Sequence, residues 1–339
     1  MPCALSESMS TAARMVRTEE VPIPEPGPGQ VLIEAEAISV FAQTQMRRNV
    51  FPAPMWRPEF PITLGGDVVG EVVAVGPGVT GNAPATGSAP SPWHGAYAEY
   101  VVVDADTVLP VPAALDAAQA TALPAPGPIA MGTMGTASLA PGESVLVQRP
   151  SGGIGHLAVQ LARLAGAGTV IATAGTPEKC AYARSLGADV AVDYSRADWP
   201  DAVREATGGR GVDVILDSVG GDVLRQGVGL LAPFGRLVFY GSAGGGLGIP
   251  AVSPMELIGM RFLTGFALSA WRNARPERYR ADHDALTAHL LAGTVRQTVH
   301  ATLPLEDVGK AHEIVESRAQ LGRIVLLTGR GTRTAGGGA

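Results

Sequence analysis

A short apolar run, Ser144 to Gln148 (SVLVQ), passes directly into a glycine turn, Ser151 to Gly155 (SGGIG). That turn opens a segment with Ile154, Leu157, Ala158, Leu161 and Leu164 at helical spacing. No other stretch constrains the chain as much. Strand, glycine turn and helix in that order present free backbone N–H groups and a positive dipole end to an anion. Gly152 would let the backbone approach a diphosphate, and Gly155 would let the helix sit close to the strand. On this reading Ser151, Gly152, Gly153, Ile154 and Gly155 cradle a dinucleotide. The competing reading is a tight turn without a ligand. Pro150 stands where the fingerprint expects a small residue, and Arg149 before it brings a charge that could aid phosphate binding.

The rhythm around this turn supports a parallel sheet. Apolar runs at Thr169–Ala174, Val190–Val192, Val212–Leu216 and Arg236–Tyr240 are each preceded by a helix-like segment, among them Pro177–Leu186. Later come helices at Asp282–Ala292 and Leu305–Arg318 and a closing strand at Arg323–Leu327. The first part reads differently, as short strands with many turns. Val31–Val40 and Asp67–Val75 are strands, Tyr97–Val103 is another, and Asn82–Pro92 is a flexible loop by composition. With 339 residues, two domains are expected. The tail from Gly329 to Ala339 reads as disordered.

The end of the second parallel strand bears on the choice of coenzyme. An NAD site places an acid ~20 residues after the glycines to hold the ribose 2′-hydroxyl. Here that region is Ala172–Thr176 (ATAGT), with no acid to repel a 2′-phosphate. Thr173 and Gly175 would line the site, Lys179 could pair with the phosphate, and Tyr194 could flank the adenine ribose. NADPH is the expected cofactor. Lys179 also fits a solvated lysine on a helix surface.

Composition removes other classes. The net charge is −6 and no basic run occurs, so no nucleic-acid partner is expected. Two cysteines, Cys3 and Cys180, exclude a disulfide framework and a multi-thiolate zinc site and favour a cytoplasmic location. Neither a signal peptide nor a membrane span is expected.

Residues 145–245 resemble the cofactor domain of the quinone-reductase branch of the medium-chain dehydrogenase/reductase family. The resemblance rests on Ser151–Gly155 (SGGIG), Ala158–Ala162 (AVQLA), Leu186–Ala188 (LGA), Leu216–Gly220 (LDSVG) and Gly235–Val238 (GRLV). Outside that region Gly65-Gly66-Asp67 with Gly70, Gly95–Tyr100 (GAYAEY) and Ala311–Glu313 (AHE) match as well. The resemblance implies an α/β protein: a GroES-like β-barrel catalytic domain (1–124 and 267–339) and a Rossmann doubly wound parallel-sheet domain (125–266). It places coenzyme in the cleft between them and a homodimer in solution. Ser218, Val219, Gly241, Ser242, Phe266 and Ala267 match loops that border the coenzyme in relatives.

Metal is not expected. In the zinc-dependent branch of the family a histidine ligand would fall at Gly66 and a cysteine near Val40-Phe41, and neither position here can bind zinc. Without a Lewis acid, alcohol oxidation is disfavoured, whereas an electron-poor C=C or a quinone needs only a hydrogen-bond donor. Relatives show Asn, Asp and Tyr or Lys near the nicotinamide, but this chain has Gln43 and Gln45 there. Those glutamines and His94 are the candidate catalytic groups, and Phe41, Trp56 and Trp93 the candidate substrate contacts. Polar loop residues would account for the same three polar side chains. The expected activity is metal-free hydride transfer from NADPH to a quinone or enone. A tailoring enzyme of the same fold (cyclisation, isomerisation or elimination) and a non-catalytic NADPH-binding protein stand beside it.

Overall fold

The computed structural model describes residues 1–6, 16–40, 62–80, 85–90, 95–242 and 251–331. The chain forms two compact units, residues 1–126 with 283–339, and residues 127–282.

The first unit is mainly antiparallel sheet. Strands β1 (Pro2–Ser6), β2 (Val16–Glu20) and β4 (Ile62–Thr63) form a small sheet in the order β2-β1-β4. A larger one runs through β15 (Val299–Pro304), β16 (Arg323–Leu327), β3 (Gln30–Val40), β5 (Val68–Val75), β6 (Thr86–Ala89) and β8 (Leu109–Pro110), with β7 (Tyr100–Asp104) also paired to β3. The partial alternation in β3 predicts one wet face. Instead the strand is almost wholly buried, because β16, β5 and β7 all pair with it. Ile33, Ile38, Leu64, Val68, Tyr97 and Ile324 form its core.

Two expectations fail here. The stretch read as a loop, Asn82–Pro92, contains β6, which pairs antiparallel with β5. Its Gly87, Ser88 and Ala89 are buried, so small size is a packing requirement and pairing overrides weak strand propensity. The tail read as disordered from Gly329 is tied down at Arg330, while its residues 332–339 lie outside the described residues. Arg330 Nη1 donates to Glu34 at 2.7 Å and Nε to Glu36 at 3.0 Å, and Nη2 reaches Glu71. The composition of the tail hides this, since the three carboxylates come from β3 and β5.

The second unit is a six-stranded parallel sheet of β9 (Ser144–Gln148), β10 (Thr169–Ala174), β11 (Val190–Asp193), β12 (Val212–Asp217), β13 (Leu231–Phe239) and β14 (Phe262–Gly265). Its order is β11-β10-β9-β12-β13-β14. The chain winds outward one way from β9 and the other way from β12, so these adjacent strands flank the switch point where ligands bind in such sheets. Leu146, Ile171, Ile215, Leu224 and Leu237 fill the core. Each such side chain contributes about 1.5–3 kcal/mol when fully buried. At the leading ends Asp213 locks the two central strands, accepting from Ser144 N at 2.8 Å and Ser144 Oγ at 2.7 Å. Arg210 closes on the same carboxylate and holds its pKa well below the usual carboxylate range. Among the described residues no helix is long and apolar enough to cross a membrane.

Candidate functional site

The trailing ends of β9, β10, β12 and β13 bring most of the expected coenzyme residues together. After β9 the chain turns at Arg149, whose N–H donates to Thr173 O at 3.0 Å and whose carbonyl accepts from Gly152 N at 3.1 Å. Ser151, Gly152 and Gly155 are buried, and the helix Gly155–Leu164 starts at the end of the turn. A Cβ on Gly155 would overlap the Arg149 carbonyl oxygen, which is why only glycine lets this helix start so close to the strand. Gly153 and Ile154 are half-buried beside it. His156 is fully buried and its Nδ1 lies 2.9 Å from Gly152 O, so the imidazole braces the turn from behind.

At the end of β10 the structure unites two residues that are far apart in sequence. A Cβ on Gly175 would lie 3.1 Å from the Tyr194 hydroxyl and 3.2 Å from its ring, so the phenol lies across the glycine. Thr176 caps the next helix, accepting from Lys179 N at 3.3 Å, and this sets Lys179, half-buried, in the first turn. Thr173 is fully buried, and its hydroxyl has no hydrogen-bond partner among the described residues.

The end of β12, which matches a coenzyme-bordering turn of relatives, carries hydrogen bonds that the motif does not reveal. Asp217 is fully buried and accepts from Val219 N at 2.7 Å and Gly220 N at 2.9 Å. With its amide nitrogen turned to the carboxylate, buried Gln148 at the end of β9 donates to both oxygens, at 3.0 and 3.1 Å. Burial pushes the Asp217 carboxyl up to about 6, against the pull of the two backbone donors. The result is a latch across the switch point that fixes the turn Ser218-Val219-Gly220. Its sequence signal is an acid that ends an apolar run and precedes a glycine pair. Gly220 has φ 73°, and a Cβ there would meet Ser242 Oγ at 2.9 Å, so Ser218, Val219, Gly241 and Ser242 gather at one place.

Phe266 and Ala267 follow β14. Phe266 N donates to Phe239 O at 2.8 Å, but its ring turns onto Trp271, centroids 5.9 Å apart, and onto Gly132, where a Cβ would stand 2.6 Å from the ring. The Phe266 ring is therefore engaged inside this unit. Ala267 caps the helix Leu268–Ala274. The catalytic and substrate candidates Phe41, Gln43, Gln45, Trp56, Trp93 and His94 lie outside the described residues.

In the first unit, Gly66 has no room for a side chain. A Cβ there would overlap the Ser39 carbonyl oxygen and lie 3.0 Å from Ile38 Cγ2 and 3.1 Å from the Tyr97 ring. Next to it Asp67 is buried with Arg323, Nη2 to Oδ2 2.7 Å, and accepts from Ser39 Oγ at 3.1 Å. No group of three or more potential metal ligands occurs among the described residues.

Comparison with known proteins follows the same lines. Residues 27–113 match the alcohol dehydrogenase GroES-like domain family, and residues 153–286 match the family described as zinc-binding dehydrogenase. The chain is 36% identical over 318 residues to a 2-haloacrylate reductase of a Burkholderia species, covering 91% of this chain and 94% of that protein. It is 32% identical to a quinone oxidoreductase of Pseudomonas aeruginosa, covering 89% and 92% respectively. Among solved structures, the quinone oxidoreductase of Escherichia coli complexed with NADPH superposes with a TM-score of 0.88 at 27% identity, covering 96% of this chain and all (100%) of that one.

Proposed function

Because this chain belongs to the quinone oxidoreductase branch of the medium-chain dehydrogenase/reductase superfamily, we propose that it is an NADPH-dependent reductase acting on a quinone or an α,β-unsaturated carbonyl without metal. The observation that carries this reading is the cradle at the switch point, with glycine where a side chain would block it and no acid at the end of β10.

The backbone N–H groups of Ser151, Gly153, Ile154 and Gly155 at the start of the following helix would hold the diphosphate, with Gly152 leaving room for it. Lys179 and Tyr194 would receive the 2′-phosphate end, and the turn latched by Asp217, with Gly241 and Ser242, the other end. When bound, the reduced nicotinamide supplies the hydride. The metal-free reading is supported by position 66, where a histidine would need the volume that Ser39, Ile38 and Tyr97 occupy. Substrate polarisation then falls to hydrogen-bond donors, for which Gln43, Gln45 and His94 are the proposed groups, with Phe41, Trp56 and Trp93 as apolar walls.

Two finer assignments belong to the same proposal. Among the described residues strand β14 is an edge of its sheet, and Phe262, Ile258, Met255 and Phe234 are 53%, 75%, 69% and 60% exposed close to it in sequence or pairing. A homodimer formed along that edge would cover them. Both cysteines are free and buried, as suits a protein kept in the cytoplasm.

The test is loss of NADPH absorbance in the presence of a panel of quinones and enones, with metal analysis of the purified protein. Turnover without bound zinc is the expected result. NADPH binding with no oxidation by any acceptor would refute reductase turnover and favour a tailoring or non-catalytic role. Stoichiometric zinc would refute the metal-free mechanism.

A further inference from the structure

We infer that Arg149 grips the coenzyme diphosphate, a role that rests on the coenzyme reading above. Arg149 directly follows β9 and holds φ at 56°, in the left-handed region that strains an arginine and not a glycine. Strain of this kind persists only where the surroundings impose it, and it gathers at ligand clamps. Here the surroundings are explicit. The Arg149 N–H is held by Thr173 O, its carbonyl by Gly152 N, and the same carbonyl fills the space that a Gly155 side chain would need.

With the backbone pinned, the side chain runs across the turn. Its Nε lies 3.4 Å, and its Cγ 3.5 Å, from the point that a Cβ on Gly152 would occupy. That point is the opening which a glycine leaves for a diphosphate. A guanidinium at its border can donate two parallel N–H bonds to phosphate oxygens. It adds a full charge to a turn that otherwise offers backbone N–H groups and a helix dipole. The adjoining Thr173 hydroxyl, fully buried and without a partner among the described residues, is a second polar group at this place.

Replacement by glycine separates ligand contact from fold, because Arg149→Gly relieves the backbone strain. Titration calorimetry with NADPH and with NADH on wild type, Arg149→Gly and Arg149→Lys is the experiment, with thermal unfolding alongside. Arg149→Gly is expected to unfold at the same or a higher temperature, to bind both coenzymes on the order of ten-fold more weakly, and to show a flatter dependence on salt. Arg149→Lys is expected to recover part of the loss. Unchanged NADPH affinity in Arg149→Gly would overturn the inference. A loss confined to NADPH would also overturn it, by assigning the guanidinium to the 2′-phosphate. Wild-type protein that binds neither coenzyme would remove the coenzyme reading itself.

Discussion

Asp217 is the residue whose chemistry is easiest to measure. Its carboxyl is pushed up to about 6 in the fold, whereas the unfolded chain releases that proton near 4. Between those pH values the native state holds a proton that the unfolded state does not, so stability falls as pH rises from 4 to about 6 and then levels off. Asp217→Asn removes the titration. The stability difference between variant and wild type should shift by up to about 3 kcal/mol in favour of the variant between pH 4 and 7. A difference that stays flat with pH would sink the assignment. Lys179 gives a second prediction at this scale. Lys179→Ala should weaken NADPH binding by roughly ten-fold, as loss of a charged hydrogen bond does, and leave NADH binding unchanged. Equal losses for both coenzymes would place the ammonium elsewhere.

At the scale of elements, the turn after β9 depends on one missing methyl group. Gly155→Ala places a Cβ on the Arg149 carbonyl, and the helix must move away from the strand. A cost of about 1–3 kcal/mol is expected from overpacking, together with loss of coenzyme affinity, by denaturant unfolding and calorimetry. Wild-type behaviour in both would show that the turn relaxes freely. The same scale explains what sequence reading could reach. The runs Ser144–Gln148, Thr169–Ala174 and Arg323–Leu327 become strands with those same bounds, because buried parallel or central strands are continuous apolar runs. Thr86–Ala89 escapes, since buried small residues resemble a loop. The helix read as Asp282–Ala292 begins earlier, at Pro276, where polar Glu277 to Arg280 carry no apolar spacing beyond Tyr279. At the site, glycines signal themselves through backbone geometry. The Gln148–Asp217 latch does not, because it pairs residues 69 positions apart in neighbouring strands.

For the whole molecule the edge strand β14 makes a testable statement about assembly. Phe262→Lys puts a charge on that edge, which is how natural sheets discourage pairing. Light scattering should then report half the wild-type mass, with coenzyme binding retained. A wild type that is already monomeric, or a variant with unchanged mass, would rule out this edge as the interface. The grip of Arg330 on Glu34, Glu36 and Glu71 reaches across strands in the same way. Any trimming of the chain by an exopeptidase that passes this point strips the arginine that binds three crowded acids. Such a shortened protein would resist urea better in magnesium or calcium buffer than in sodium, a dependence that the intact chain, carrying its own counter-ion, would not share.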